Sequence, residues 1–512
     1  MKCRITPLVL ILSAACLTLT AQTSAHRSCG THGEMAAPMV ERLLQNIESL
    51  RNNPVRPRNI EYVPIKFHLV AKTDGTGRVT EGRVLDQLCA LNVDYLPMNI
   101  QFYLKNGTFN YINNTAVYST HTATINTIMT FARDNTAVNV FIVDDATPAG
   151  GGVGGVTLGY YTPNKDWIVM RRDETNASTT TLPHEMGHFF SLPHPFNGWD
   201  SGAYDPAVHG VPAPAMSPGG IPTEKADGSN CAIAGDFICD TPADYRFEGN
   251  WNCNYAGGAM DPMGMLVNPD ERLFMCYMVG CQRNEYIFSP TQQELIIEDL
   301  NSNARNYVTP GYVPYQVEIT ETPELIAPIN AVVTPGYNIV NLEWSGVSGA
   351  TRYLLEIDAF PNFSSTTARY VVFGTNKILT NLAANKTYFW RIRPFAEYHT
   401  CSPFTANGQF KTGTGTITST GETKLVENWS VNPNPVSAGQ DISVSINSNE
   451  RFDGVITVLN TVGQVVYRTE NLELTQGEHD FRIPSSFLTR GVYLVALETS
   501  DVVLTKRVVV GN

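Results

Sequence analysis

The chain has 512 residues, 43% hydrophobic and 16% charged, with a formal net charge of -13. At ~150 residues per domain that length calls for several cores, and the composition excludes wholesale disorder and a bundle of membrane spans. An acidic balance with no concentrated basic surface excludes a nucleic-acid partner, because phosphate binding needs clustered Lys and Arg.

The opening segment MKCRITPLVLILSAACLTLTAQTSA reads as a signal peptide over residues 1–25, with Lys2 and Arg4, an apolar run from Leu8 to about Leu19, and small residues at Ala21 and Ala25. The run is shorter than the ~20 residues a spanning helix needs, so the mature chain is expected to be exported and to carry no transmembrane segment. Of ten cysteines, Cys3 and Cys16 fall in this segment, which leaves eight in an oxidising compartment. Cys231, Cys239, Cys253 and Cys281 crowd one loop-rich stretch, with Cys276 among them. Bridges are expected there; Cys253 with Cys281 is the preferred pair, although spacing alone does not fix connectivity.

From Glu61 the pattern alternates between strands and helices: YVPIKFHLVAK, NIQFYLKNG and NVFIVDD read as strands, and VLDQLCALNVDYL as an amphipathic helix. This interleaving predicts a mixed α/β sheet. A glycine-rich AGGGVGGVTLGYY follows, then DWIVMRRDE, a helix bearing HEMGHFFSLPH, and from Asn197 to Arg283 a stretch rich in Gly, Pro, Asp and Cys. Long irregular segments inside a domain are usually functional or pinned by metals and disulfides. FSPTQQELIIEDLNSNARNYV closes this unit, residues 59–315, with a helix.

Residues 323–412 are β-rich. VNLEWSGVSGATRYLLEID puts Trp344 and Tyr353 on adjacent strands, and LAANKTYFWRIRPF sets Leu382 six residues before Tyr388. The pattern resembles a fibronectin type III module with its tyrosine corner, so these aromatics read as core. Residues 413–428, rich in Gly, Thr and Ser, read as a linker. In 429–512 VNPNP, NTVGQVVY, GVYLVAL and KRVVV form a second β-sandwich pattern, similar to the C-terminal sorting domain of type IX secretion cargo. That resemblance implies the type IX secretion machinery as a partner, and a protein released from or attached to the outer surface of a Gram-negative bacterium.

HEMGHFFSLPH concentrates the chemistry. His184 and His188 are four apart, so on a helix both imidazoles reach one ion, and Glu185 points to the same cleft. Six residues further on, His194 can return to that ion only if the helix ends, and Pro193 predicts an end near Phe190 or Ser191. Three histidines leave one position open on zinc, the arrangement of a catalytic rather than a closed structural site. The segment resembles the HExxHxxGxxH zinc signature of metzincin metallopeptidases, and is most similar to the pappalysin family. Ser191 stands where that signature has glycine; a left-handed backbone there costs roughly 1–2 kcal/mol.

The resemblance implies Glu185 as general base, Met275 of LFMCYMVGC as the Met-turn residue beneath the zinc site, and Tyr277 as a helper at the oxyanion. It implies that Cys29 of HRSCGT ligates zinc in a latent form, making residues 26–58 a cysteine-switch propeptide. The competing reading of Cys29 is a disulfide partner, since removing it from eight leaves seven. GDFICDTPAD offers Asp236, Asp240 and Asp244 for calcium or as solvated turn carboxylates. Substrate peptide is expected along the edge strand in GGVTLGYY. YMVGCQRN carries no acid and has Arg283, which argues against a preference for basic residues.

The expected architecture is therefore a multidomain chain, with an α/β metzincin-like catalytic domain (a twisted mixed sheet plus a zinc-bearing helix) followed by two small all-β sandwiches. The expected function is a secreted zinc endopeptidase acting on polypeptides. Its rivals are a surface-binding protein with a structural or vestigial zinc, and a zinc amidase for a non-protein substrate.

Overall fold

The computed structural model describes residues 27–52, 59–120, 123–148, 156–246, 253–278, 280–365, 367–380, 382–414, 424–437, 439–460, 465–486, 488–499 and 502–511. Residues 1–25, read above as a signal peptide, the glycine run 149–155 and residues 415–423 of the expected linker lie outside them. Among the described residues no helix is long and apolar enough to cross a membrane.

The first unit is built on a seven-stranded mixed sheet of β1 (Arg27–Cys29), β2 (Glu61–Ala71), β3 (Ile100–Leu104), β4 (Asn110–Asn113), β5 (Val138–Val143), β6 (Val156–Thr162) and β7 (Trp167–Arg171), in the order β1-β6-β7-β5-β2-β3 with β4 also on β2. Its centre, β2, β5 and β7, is parallel, and β6 runs antiparallel to β7. All six residues of β5 are buried, the uniform apolar run of a strand covered on both faces. Helices α1 (Ala37–Asn52), α2 (Glu81–Tyr95), α3 (Thr115–Ser119), α4 (Ala123–Ala132), α5 (Thr181–Phe189), α6 (Pro206–His209) and α7 (Pro290–Leu300) complete the unit. Thr80 caps α2 by accepting from Arg83 N, and a capping box of Ser289 and Gln292 starts α7. α5 is buried along its whole length beneath β6 and β7.

β8 (Leu325–Ala327), β9 (Val332–Val333), β10 (Val340–Trp344), β11 (Arg352–Asp358), β12 (Ala368–Val372), β13 (Asn376–Leu379), β14 (Thr387–Phe395) and β15 (Gly408–Lys411) form a sandwich of three strands on five. Trp344 and Tyr353 sit on consecutive strands, but in opposite sheets, meeting edge to face at 5.6 Å across the core. Ala383 N donates to Tyr388 Oη at 2.9 Å beside buried Leu382, closing a corner. A second sandwich of three strands on five comprises β16 (Val426–Asn432), β17 (Ile442–Ser448), β18 (Phe452–Asn460), β19 (Val465–Arg468), β20 (Leu472–Leu474), β21 (Gly477–Ile483), β22 (Gly491–Glu498) and β23 (Val503–Val510).

Among the described residues there are three disulfides, Cys253–Cys281, Cys231–Cys239 and Cys89–Cys401. The odd cysteine is resolved by a second buried free thiol, Cys276, alongside Cys29. Cys89–Cys401 spans 312 residues and joins α2 to the first sandwich. The same contact carries Arg393 to Asp86 at 2.7 Å and Arg369 to Glu81 at 3.0 Å, and it places Leu354 and Phe395 in the core of the α/β unit.

Candidate metal centre

α5 ends in a Schellman motif. Leu192 N donates to Gly187 O at 3.0 Å and Ser191 N to His188 O at 2.9 Å, with Ser191 at φ 71°. Ser191 thus takes the left-handed conformation usual for glycine, two residues before Pro193, and the chain doubles back so that His194 faces His184 and His188 from the far side.

The three rings converge through their Nε2 atoms: His188 to His194 is 3.1 Å and His194 to His184 is 3.3 Å. Each Nδ1 is committed to an oxygen, His184 to Phe274 O at 2.7 Å, His188 to Leu192 O at 2.7 Å and His194 to Asp200 Oδ1 at 2.6 Å. With Nδ1 donating, every Nε2 presents a lone pair, and lone pairs this close repel unless a cation lies between them. Burial drives His184 down to about 4 and His188 and His194 well below their ordinary value, so all three are neutral ligands at pH 7. A tetrahedral site with Zn–N bonds of ~2.0–2.1 Å has edges of roughly 3.3 Å, so the spacing fits zinc.

Cys29 supplies a fourth donor, its Sγ 3.4 Å from His188 Nε2 and 3.5 Å from Glu185 Oε2. Its sulfur also accepts from Thr31 N at 3.2 Å. Cys29, His184, His188 and His194 form one buried cluster in which all ligand atoms lie within 4.8 Å. Burial and then the Glu185 carboxylate push the thiol up, and a cation at the cluster would reverse that balance. Glu185 is itself raised to about 8 by burial, partly offset by its hydrogen bond from Cys29.

Cys29 is held there by β1, which pairs in parallel with β6 and forms the edge of the sheet. Beyond it Gly30 N donates to Gly159 O at 2.8 Å, and Thr31 exchanges hydrogen bonds with Tyr161 at 2.8 and 2.9 Å. The edge expected to receive substrate is thus covered by the chain's own N-terminal segment. Tyr277 Oη donates to Cys29 O and accepts from Cys29 N, both at 3.1 Å. Met275, fully buried, packs against Gly187, the residue just before His188.

The acidic loop divides. Asp236 is buried and accepts from Ile238 N and Thr241 Oγ1, whereas Asp240 is exposed and accepts from Ser289 Oγ at 2.7 Å and Thr291 N at 2.8 Å. Asp240 therefore anchors the start of α7, where a negative charge complements the helix N-terminus, and its two oxygens are engaged there. Asp244 is buried and accepts from Arg246 N at 2.8 Å. Glu224, which sequence reasoning passed over, is buried with Oε2 lacking a hydrogen-bond partner, and burial followed by Asp236 and Asp244 raises it to about 9. Asp200 was likewise missed; its only sequence signal is proximity to His194.

Residues 430–511 match the family described as secretion system C-terminal sorting domain. The chain is 31% identical over 186 residues to an extracellular metalloprotease of Neurospora crassa and 30% identical over 186 residues to one of Sordaria macrospora, covering 32% of this chain in each case. An extracellular metalloprotease of Verticillium alfalfae is 27% identical over 210 residues, 38% of this chain and 73% of its own. The chain spans 60% of the length of the first two relatives. Among solved structures, the FN1-FN3 domains of chicken CNTN1 are similar at 11% identity and a TM-score of 0.15, covering 39% of this chain and 69% of theirs. FN3tt is similar at 22% identity and a TM-score of 0.16, covering 19% of this chain and 100% of its own. At TM-scores of this size the first sandwich is described by its own strand order.

Proposed function

We propose that the chain is a secreted zinc endopeptidase of the pappalysin type, held latent by Cys29. The observation carrying this reading is the convergence of three imidazole lone pairs and one thiol beside a buried glutamate. The similarity to extracellular metalloproteases supports it. His184, His188 and His194 would hold zinc, and Cys29 the remaining position until the propeptide is removed. Bound zinc would polarise the scissile carbonyl and lower the pKa of water beside it.

The other steps belong to the chain's own groups. Glu185 takes the proton of the attacking water and passes it to the leaving amine, a role typically worth about 10²–10⁴ in rate. Tyr277 Oη, freed from the Cys29 backbone, donates to the developing oxyanion. Once β1 leaves, β6 receives the polypeptide as an added strand. Asp236 of the acidic loop is proposed to contribute to a calcium site, whose oxygen preference suits a carboxylate. The C-terminal sandwich directs the chain through the type IX secretion machinery. Digestion of a denatured protein by the matured wild type and by Glu185→Ala tests the mechanism: cleavage by wild type alone is expected, and equal cleavage by both overturns it.

A further inference from the structure

The turn that separates the zinc-ligand helix from His194 is tied to the far end of the α/β unit. Ser191 Oγ donates to Asp299 Oδ1 at 2.5 Å, and Asp299 Oδ2 accepts from Arg305 Nε at 2.8 Å. Arg305 in turn donates to Phe189 O, the last carbonyl of α5, and its guanidinium lies 3.7 Å over the Phe189 ring. Its Nη1 also reaches Asp166 Oδ1 at 3.0 Å. Ser191, Asp299 and Arg305 are 1%, 0% and 1% exposed, so water does not replace these partners. The circuit runs from Phe189 through Arg305 and Asp299 back to Ser191, closing around the residues that launch His188 and His194.

Glycine at 191 would relax the backbone but forfeit the hydroxyl. A serine in a left-handed position is therefore best explained by what its Oγ holds. Leu192, the next residue, accepts from His188 Nδ1, so movement of the turn is felt directly at a ligand. Asp299 Oδ1 also accepts from Asn46 of α1 at 2.9 Å, so the propeptide helix braces the same carboxylate.

We propose that Ser191 is a positioning residue of the metal centre: its hydroxyl locks the His188–His194 turn onto the Asp299–Arg305 pair and so sets how firmly the site holds its metal. This rests on the zinc reading given above. The test compares Ser191→Gly and Ser191→Ala with wild type, all as full chains loaded with zinc. Zinc transfer to a chelating dye is followed, and thermal unfolding is measured with and without zinc. Loss of the hydroxyl is expected to speed release by about tenfold, the lower end for outer partners of metal ligands. In Ser191→Gly without zinc the lost hydrogen bond to Asp299 is offset by the relaxed backbone, so the deficit in thermal unfolding should be larger with zinc than without it. Release from Ser191→Gly within about twofold of wild type overturns the proposal, and because glycine is the easier residue at this φ, that variant decides even if Ser191→Ala folds poorly. A wild-type chain that takes up no zinc would instead overturn the zinc reading, and this inference with it.

Discussion

Gly187 has no room for a side chain: a Cβ there would lie 2.3 Å from Met275 Sδ. The helix bearing His184 and His188 and the segment bearing Met275 therefore touch backbone to thioether, and this close approach, rather than any special dihedral, demands glycine. Gly187→Ala is expected to lower stability by about 1–3 kcal/mol, as overpacking does, and to reduce zinc content; thermal unfolding and metal analysis would check it. Glu185 faces the sheet edge, where a Cβ on Gly159 would come 3.0 Å from its Oε1. Glu185→Gln keeps shape and hydrogen-bonding capacity but removes the base. We expect full zinc content with turnover reduced by about 10²–10⁴ on a peptide substrate.

One element, β1, covers the site in two ways. β1 lies along β6 while Cys29 reaches the histidine cluster, so the latency proposed above would have a thiol-ligand part and a strand-pairing part. Cys29→Ala in the uncleaved chain removes only the first. It should give activity above the uncleaved wild type but below the matured enzyme, measured on a quenched peptide; activity equal to the matured form would mean that the strand contributes nothing. In the loop between Asn197 and Arg283, Glu224 titrates near 9 because it is buried beside Asp236 and Asp244. A carboxyl whose folded value lies above the ordinary ~4.3 binds a proton in the folded chain that the unfolded chain has lost. Its contribution is present at acid pH and is lost as pH rises toward 9. Unfolding midpoints of the metal-free chain should fall between pH 7 and pH 8.5, above the range in which the three lowered histidines act in the opposite sense, and calcium should flatten that slope if it binds there.

At the scale of the whole molecule, the first sandwich is fastened to α2 rather than strung beside it. Cys89–Cys401, the Arg393–Asp86 and Arg369–Glu81 pairs and the shared apolar core all cross one boundary. Arg393 and Glu81 are buried, so separating the two parts would strand charges as well as expose Leu354 and Phe395. Cys401→Ser should leave both parts folded but make the connecting segment 309–324 more easily cleaved in limited proteolysis, visible as two fragments on a gel. Lys377 adds a bond to Glu498 of the C-terminal sandwich at 3.2 Å, a much lighter attachment.

By itself the sequence determined what is local. The four-residue spacing of His184 and His188, the helix end before Pro193, the alternation of strand and helix and the turn-punctuated sandwiches all follow from backbone periodicity and the limits of proline. Only the tertiary structure decided which oxygens the imidazoles use, Phe274 O far along the chain for His184 and Asp200 nearby for His194. It also decided that Cys89 finds Cys401, that Asp240 leaves the acidic cluster to cap a helix, and that Ser191 has a partner in Asp299. Those pairings join segments up to hundreds of residues apart, and no period along the chain encodes them. They come into being when packed elements bring the two partners together, and where both are buried, as Ser191 and Asp299 are, each satisfies the other because water cannot.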